Sequence, residues 1–271
     1  REFTLNVASA QVKSCLLLAG LLACGETWVQ EPLPTRDHTE RMLPLAGVTV
    51  SRKGGAVGVR GPSRLRSFEL HVPGDPSAAA FLVVAASLVP GSHLVLRRVG
   101  LNPQRTGFLR VLSRMGARLH VTPAGSYPLG EAGQAGGAAP GVAGALPDVY
   151  RSDGGMPVGE PEGDLEIWSA GLQATDIGPE EIPALIDELP VLAVAACAAR
   201  GVTRVRGASE LRVKESDRLA AVARELSCLG ARITETADGW VIDGPCLLRG
   251  GSVASRGDHR LAMAWAVAMA P

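Results

Sequence analysis

The 271-residue chain is 46% apolar and 20% charged, enough hydrophobic residues for a sizeable core and too many for global disorder. Its 27 Lys and Arg balance its 27 Asp and Glu, and 4% of its residues are aromatic. This gives no support for binding nucleic acid or a membrane surface through bulk charge, or for a platform that stacks single-stranded bases.

Ala8-Ser9-Ala10-Gln11-Val12-Lys13-Ser14 places polar groups ahead of an apolar helix predicted over 12–23, with Ser9 as its N-cap. Gly25 ends that helix and a strand follows at Thr27-Trp28-Val29. Thr35-Arg36-Asp37-His38-Thr39-Glu40-Arg41 opens an amphipathic helix over 39–45. Asp37 as N-cap with Glu40 three residues on has the form of a capping box. Arg36, just ahead of the cap, opposes the helix dipole and has no such structural reason. Gly47-Val48-Thr49-Val50 completes the unit as a strand.

The pattern restarts with an apolar helix over 77–89, then Gly91 and a strand at Leu94-Val95-Leu96. A helix over 105–115 leads into Gly116-Ala117-Arg118-Leu119. From Ala124 to Gly155, 19 of 32 residues are Gly, Ala or Pro, so a flexible insert is expected over about 124–163. A third copy follows: a helix over 189–199, Gly201, Val202-Thr203-Arg204-Val205, a helix over 216–229, and Gly230-Ala231-Arg232-Ile233. Asp187-Glu188 stands at the mouth of its first helix. The pair either caps that helix or supplies a carboxylate for proton transfer.

Leu211-Arg212-Val213-Lys214-Glu215-Ser216-Asp217-Arg218-Leu219 crowds five charges and a serine into a strand-to-helix turn. The chain has three Lys against 24 Arg, so a Lys at 214 hints that an ammonium is wanted there. Lys214 and Arg218, four apart, repel on a plain helix face. A dianionic ligand at a helix N-terminus would resolve the conflict. A charged surface run paired locally, Glu215 to Arg218, is the alternative. A fourth copy begins at Asp258-His259-Arg260-Leu261 and runs as an apolar helix to Ala270. His38 and His259 lack the spacing of metal ligands and read as capping or core residues.

The first helices begin near 11, 77, 188 and 258, steps of about 66, 111 and 70 residues, and the long step holds the insert. Alternating helices and strands mark an α/β (α+β) protein. The first helix of each copy is apolar nearly all round and is expected at a buried centre. Cys15, Cys24, Cys197, Cys228 and Cys246 have no C-x-x-C pair and read as reduced core residues. The longest apolar runs fall short of the roughly 18 to 20 residues that span a bilayer, so no membrane span and a cytoplasmic location are expected. The opening Arg1-Glu2-Phe3, without an initiator Met, and the apolar helix at the other end lead to the expectation of a fragment.

Seven motifs in order carry a resemblance: Ala8-Ser9-Ala10-Gln11-Val12-Lys13-Ser14, Thr35-Arg36-Asp37-His38-Thr39-Glu40, Pro73-Gly74-Asp75-Pro76-Ser77-Ala78-Ala79, Leu101-Asn102-Pro103-Gln104-Arg105-Thr106-Gly107, Ile186-Asp187-Glu188, the run from Leu211 to Arg218, and Asp258-His259-Arg260. Together they closely resemble the 5-enolpyruvylshikimate-3-phosphate synthases, also called 3-phosphoshikimate 1-carboxyvinyltransferases, through nearly the whole chain except the insert. The resemblance implies the enolpyruvyl transferase fold, two domains of repeated βαβαββ units with buried parallel helices. Residues 1–72 would be the end of the first domain and 73–271 most of the second. The family's N-terminal third and far C-terminus would lie outside this chain, which by itself is expected to be inactive.

The implied reaction moves the enolpyruvyl group of phosphoenolpyruvate to the 5-hydroxyl of shikimate 3-phosphate and releases phosphate. The resemblance implies no metal, no organic cofactor and a monomeric full-length protein. Both substrates carry a carboxylate and a phosphate, which demands several Arg and Lys side chains in one cleft. By resemblance Ser9, Ala10 (through its backbone), Gln11, Arg36, Asp187 and Lys214 contact shikimate 3-phosphate. Gln11, Arg218 and Arg260 contact phosphoenolpyruvate. Asp187 is the implied proton acceptor and Glu215 the proton donor to carbon. The sister UDP-N-acetylglucosamine enolpyruvyl transferases share fold and chemistry but lack the motifs around Arg36 and Lys214. The alternative of another class is a non-catalytic fragment that needs a complementary chain.

Overall fold

The computed structural model describes residues 1–124 and 158–270, and within them one pattern of connections recurs. Strands β1 (Glu2–Thr4), β2 (Gly25–Gln30), β3 (Val50–Lys53) and β4 (Ala56–Gly61) lie in the order β1-β2-β4-β3. β1 runs parallel to β2, and the other two pairings are antiparallel. Helices α1 (Ala10–Gly20) and α2 (His38–Leu45) connect them.

The second unit has α3 (Pro76–Leu88), β5 (His93–Gly100), α4 (Gly107–Arg114), β6 (Arg118–Pro123) and β7 (Glu162–Trp168), with the sheet ordered β5-β7-β6. Its first strand is reduced to one parallel bridge, Gly74 to Val99. The third unit has β8 (Asp176–Ile177), α5 (Leu189–Ala198), β9 (Gly201–Val205), α6 (Arg218–Cys228), β10 (Ile233–Glu235) and β11 (Trp240–Gly244). Its order, β8-β9-β11-β10, and its strand senses repeat those of the first unit. Helix α7 (His259–Ala268) opens a fourth.

The helix starts follow from local chemistry. Asp75, Asp217 and Asp258 accept backbone N–H groups in the first turns of α3, α6 and α7, and Pro76 takes the first position of α3, where its missing N–H costs nothing. α3 and α5 are apolar all round and buried nearly all round. They pack with each other and with α7. Their starts meet through Ser77, Glu188 and Arg260, and their ends meet around Leu88, Cys197 and Ala268. The three helices therefore run in one sense, and their positive dipole ends converge.

Apolar residues gather in two clusters, one around Leu17, Val29, Leu43 and Val57, the other around Phe108, Ile167, Leu192 and Trp240.

Three expectations need correction. α1 is not buried all round: Lys13, Leu17 and Gly20 are buried, while Val12 and Leu18 face outward, because only one side of the helix meets β2 and β4. Cys15, Cys24 and Cys228 are exposed, not core residues, since each falls on the outer side of its segment; Cys197 alone is buried. The end of the expected insert belongs to the fold, because Gly163, Leu165 and Ile167 alternate inward in β7 between β5 and β6. Residues 125–157 of that insert lie outside the described residues.

Candidate active site

The entries to α2, α5, α6 and α7 meet at Asp187. Arg36 Nη2 donates a hydrogen bond to Asp187 Oδ2. Arg260 Nη2 lies 3.5 Å from the same oxygen, and Arg260 Nη1 donates to the Asp187 carbonyl at 3.4 Å. Arg218 Nη1 stands 3.6 Å from Asp187 Oδ1. Burial alone would raise this carboxyl. The charge of Arg260, the hydrogen bond and charge of Arg36, and the charge of Lys214 outweigh it and hold Asp187 below the usual carboxylate range.

Arg218 is the rigid member. It is 0% exposed, and its Nε donates to Asp258 Oδ2 at 2.7 Å. Nη2 donates to Asp258 Oδ1 at 3.2 Å and to Glu215 Oε2 at 2.5 Å. Nη1 has no hydrogen-bond partner among the described residues. Asp258 does two jobs: it caps α7 and it clamps Arg218. The clamp fixes the Arg218 guanidinium at the start of α6, the place where anions bind best.

Beside this cluster is a cavity of about 140 Å³ whose walls include Ser9, Ala10, Gln11, Arg36, Glu210 and Lys214. Ser9 Oγ accepts the Val12 N–H at 3.3 Å and so caps α1. Lys214 Nζ donates to Glu210 Oε1 at 2.5 Å. All nine sequence-selected residues thus fall in two adjoining groups. Ser9, Ala10, Gln11, Arg36 and Lys214 line the cavity; Arg218 and Arg260 stand around Asp187, which Arg36 touches too, and Glu215 joins that group through Arg218. Among the described residues, no three His, Cys, Asp or Glu side chains are placed to hold a metal ion.

The capping readings of the acidic residues fail here. Neither Asp187 nor Glu188 caps α5, since Glu188 at the N-cap makes no side-chain cap bond. Asp37 makes no cap bond either. It accepts from Arg41 Nε at 2.7 Å and Asn102 Nδ2 at 2.8 Å, and these outweigh its burial to keep its pKa low. Glu40 instead meets Lys13, at 2.8 Å. Lys214 precedes α6, so the like-charge conflict expected on a common helix face does not arise. His38 Nδ1 pairs with Glu160 Oε1 at 2.7 Å, and His259 is exposed, so neither histidine caps a helix or fills the core.

The family model for EPSP synthase (3-phosphoshikimate 1-carboxyvinyltransferase) matches residues 1–139 and 152–270. The chain belongs to the EPSP synthase family. It is 51% identical over 267 residues to the 3-phosphoshikimate 1-carboxyvinyltransferases of Gloeobacter violaceus and Desulforudis audaxviator, covering 98% of this chain and 55% of each relative. An EPSP synthase structure from Acinetobacter baumannii, 38% identical, aligns with all of this chain and 56% of its own at a TM-score of 0.80. The enolpyruvyl transferase NikO of Streptomyces tendae shares the fold at 19% identity, over 99% of this chain and 57% of its own, with a TM-score of 0.67. The chain spans about half the length of the curated relatives it matches.

The EPSP synthase resemblance left some site neighbours without a role. Ser77 and Glu188, both buried, and the half-buried Arg105 form a polar chain behind Arg260. Lys13 is buried between Glu31 and Glu40 at 2.9 and 2.8 Å. The scarcity of lysine applies to Lys13 as much as to Lys214, and it was the one signal that could have marked this buried charge.

Proposed function

We propose that this chain supplies the substrate-binding and proton-transfer groups of a 3-phosphoshikimate 1-carboxyvinyltransferase. The observation that carries the reading is the convergence of Arg36, Arg218 and Arg260 on one buried carboxylate, Asp187, at the positive ends of several helices. Planar guanidinium groups suit bidentate carboxylates and phosphates, and each substrate of this reaction carries one of both.

Shikimate 3-phosphate occupies the cavity side, against Ser9, the Ala10 backbone, Gln11, Arg36 and Lys214. Phosphoenolpyruvate meets Gln11, Arg218 and Arg260. The 5-hydroxyl oxygen forms the new bond to the enolpyruvyl carbon and gives up its proton, while the methylene carbon of phosphoenolpyruvate gains one and phosphate leaves. Asp187, ionised, accepts the first proton. Glu215, exposed and bonded to Arg218, delivers the second. Residues 1–72 and 73–271 are read as parts of two domains, each with its own apolar cluster, in a cytoplasmic, monomeric protein.

Calorimetry with shikimate 3-phosphate and an assay of phosphate release with both substrates test the reading. Saturable binding that is lost in Arg36→Ala supports it. Absence of shikimate 3-phosphate binding in a folded sample would reject it, whatever the turnover.

A further inference from the structure

The chemistry above uses Asp187 and leaves its neighbour idle. Glu188 is 2% exposed and does not cap its helix. The Ser77 hydroxyl donates to Glu188 Oε1 at 2.5 Å. Arg105 Nη2 donates in turn to Ser77 Oγ at 2.8 Å and to Asp75 Oδ1 at 2.9 Å. The carboxyl is fixed from behind by the start of α3.

In front of it is Arg260. Among the described residues this guanidinium has no short anchor: it is 3.4 and 3.5 Å from Asp187 oxygens and 3.9 Å from Glu188 Oε1. Arg218 is clamped by Asp258 at 2.7 Å, whereas Arg260 takes its place only from two adjacent acidic residues.

We propose that Glu188 is a positioning residue for Arg260: it holds the guanidinium from behind, and its charge decides how much of that guanidinium an anionic ligand can use. The inference rests on reading Arg260 as an anion-binding residue. Neutral Glu188 leaves the Arg260 charge to the ligand, and ionised Glu188 draws it back.

Burial pushes the Glu188 carboxyl up against the pull of the Ser77 hydrogen bond, and the Asp187 charge pushes it further, while Arg105 and Arg260 pull it down. The other charged groups nearby are Asp75 at the start of α3, Asp258 and the exposed His259 at the start of α7, and Arg218 of α6 on the Asp187 side. A raised carboxyl stays neutral to higher pH than an ordinary Glu. Anion binding is therefore strong on the acidic side and weakens as pH rises through the Glu188 transition. A negative charge that close to the guanidinium changes affinity by about tenfold or more.

The test measures sulfate affinity of the 271-residue chain by calorimetry from about pH 5 to about pH 9, a range in which ordinary Glu stays ionised and sulfate keeps its charge. Wild type should lose about tenfold toward the alkaline end, and Glu188→Gln should keep acidic-side affinity throughout. Ser77→Ala removes a donor to the carboxylate without removing a charge, so it should move the loss to higher pH. A flat wild-type profile, no sulfate binding, the same loss in Glu188→Gln, or an unmoved transition in Ser77→Ala would overturn the proposal. Phosphoenolpyruvate is titrated in parallel. If it fails to bind while sulfate shows the Glu188-dependent loss, the substrate reading falls and the role of Glu188 stands.

Discussion

Asp187 is surrounded by cations without capping a helix: three guanidinium groups face it from three other segments. Asp187→Asn keeps the size and most of the hydrogen-bonding capacity of the side chain. In the proposed transferase it should lower turnover by about 10²- to 10⁴-fold, the usual cost of a lost general base, while the chain still folds, with a midpoint lowered by the lost ion pairs. Near-normal turnover would remove Asp187 from the chemistry. The ordered motifs made this residue, Arg36, Lys214, Arg218 and Arg260 legible in the sequence. The distant partners of Asp37 and Glu40 were not legible. A capping rule looks three residues ahead, whereas Asn102 is 65 residues from Asp37 and Lys13 is 27 from Glu40.

At the scale of elements, composition was a good guide where burial is complete. α3 and α5 are apolar on every face and were read as buried centres, and they are. α1 carries Gln11, Lys13 and Ser14 among its apolar residues and packs on one side only, against β2 and β4. The start of α4 offers a sharper test. A Cβ on Gly107 would stand 2.9 Å from the Ala184 carbonyl oxygen and 3.1 Å from its Cβ. Gly107→Ala should gain up to about 1 kcal/mol of helix propensity. Overpacking against backbone costs about 1–3 kcal/mol, so the clash wins and urea denaturation should show a net loss. A stabilised variant would mean that the turn over Ile182–Ala184 yields easily.

For the whole molecule, the same pairings set the response to acid. Asp37, Asp187, Asp258 and Glu160 are each burdened first by burial, yet Arg41 and Asn102, Arg260 and Arg36, Arg218, and His38 respectively hold them below the ordinary carboxylate range. A lowered carboxyl contributes stability that is present above its unfolded value and is lost as pH falls through its folded one. Glu188, raised, has the opposite sign, so it opposes the other four. The thermal midpoint should therefore drop between about pH 5 and about pH 3; a midpoint constant over that range would show these pairs to be energetically idle. The pairing has one more consequence. Arg36 and Arg260 share Asp187, Lys214 has Glu210, and Arg218 has Asp258 and Glu215. Each of these cations already faces an acidic side chain, so an arriving phosphate or carboxylate competes with that side chain for it. Asp187, drawn away from Arg260 and Arg36, would regain basicity and move toward proton uptake. Anion binding should thus carry proton uptake, seen as a binding heat that varies with the protonation enthalpy of the buffer; a cleft of unpaired guanidinium groups would show none. For Asp187, the proposed proton acceptor, basicity would then arrive with the ligand.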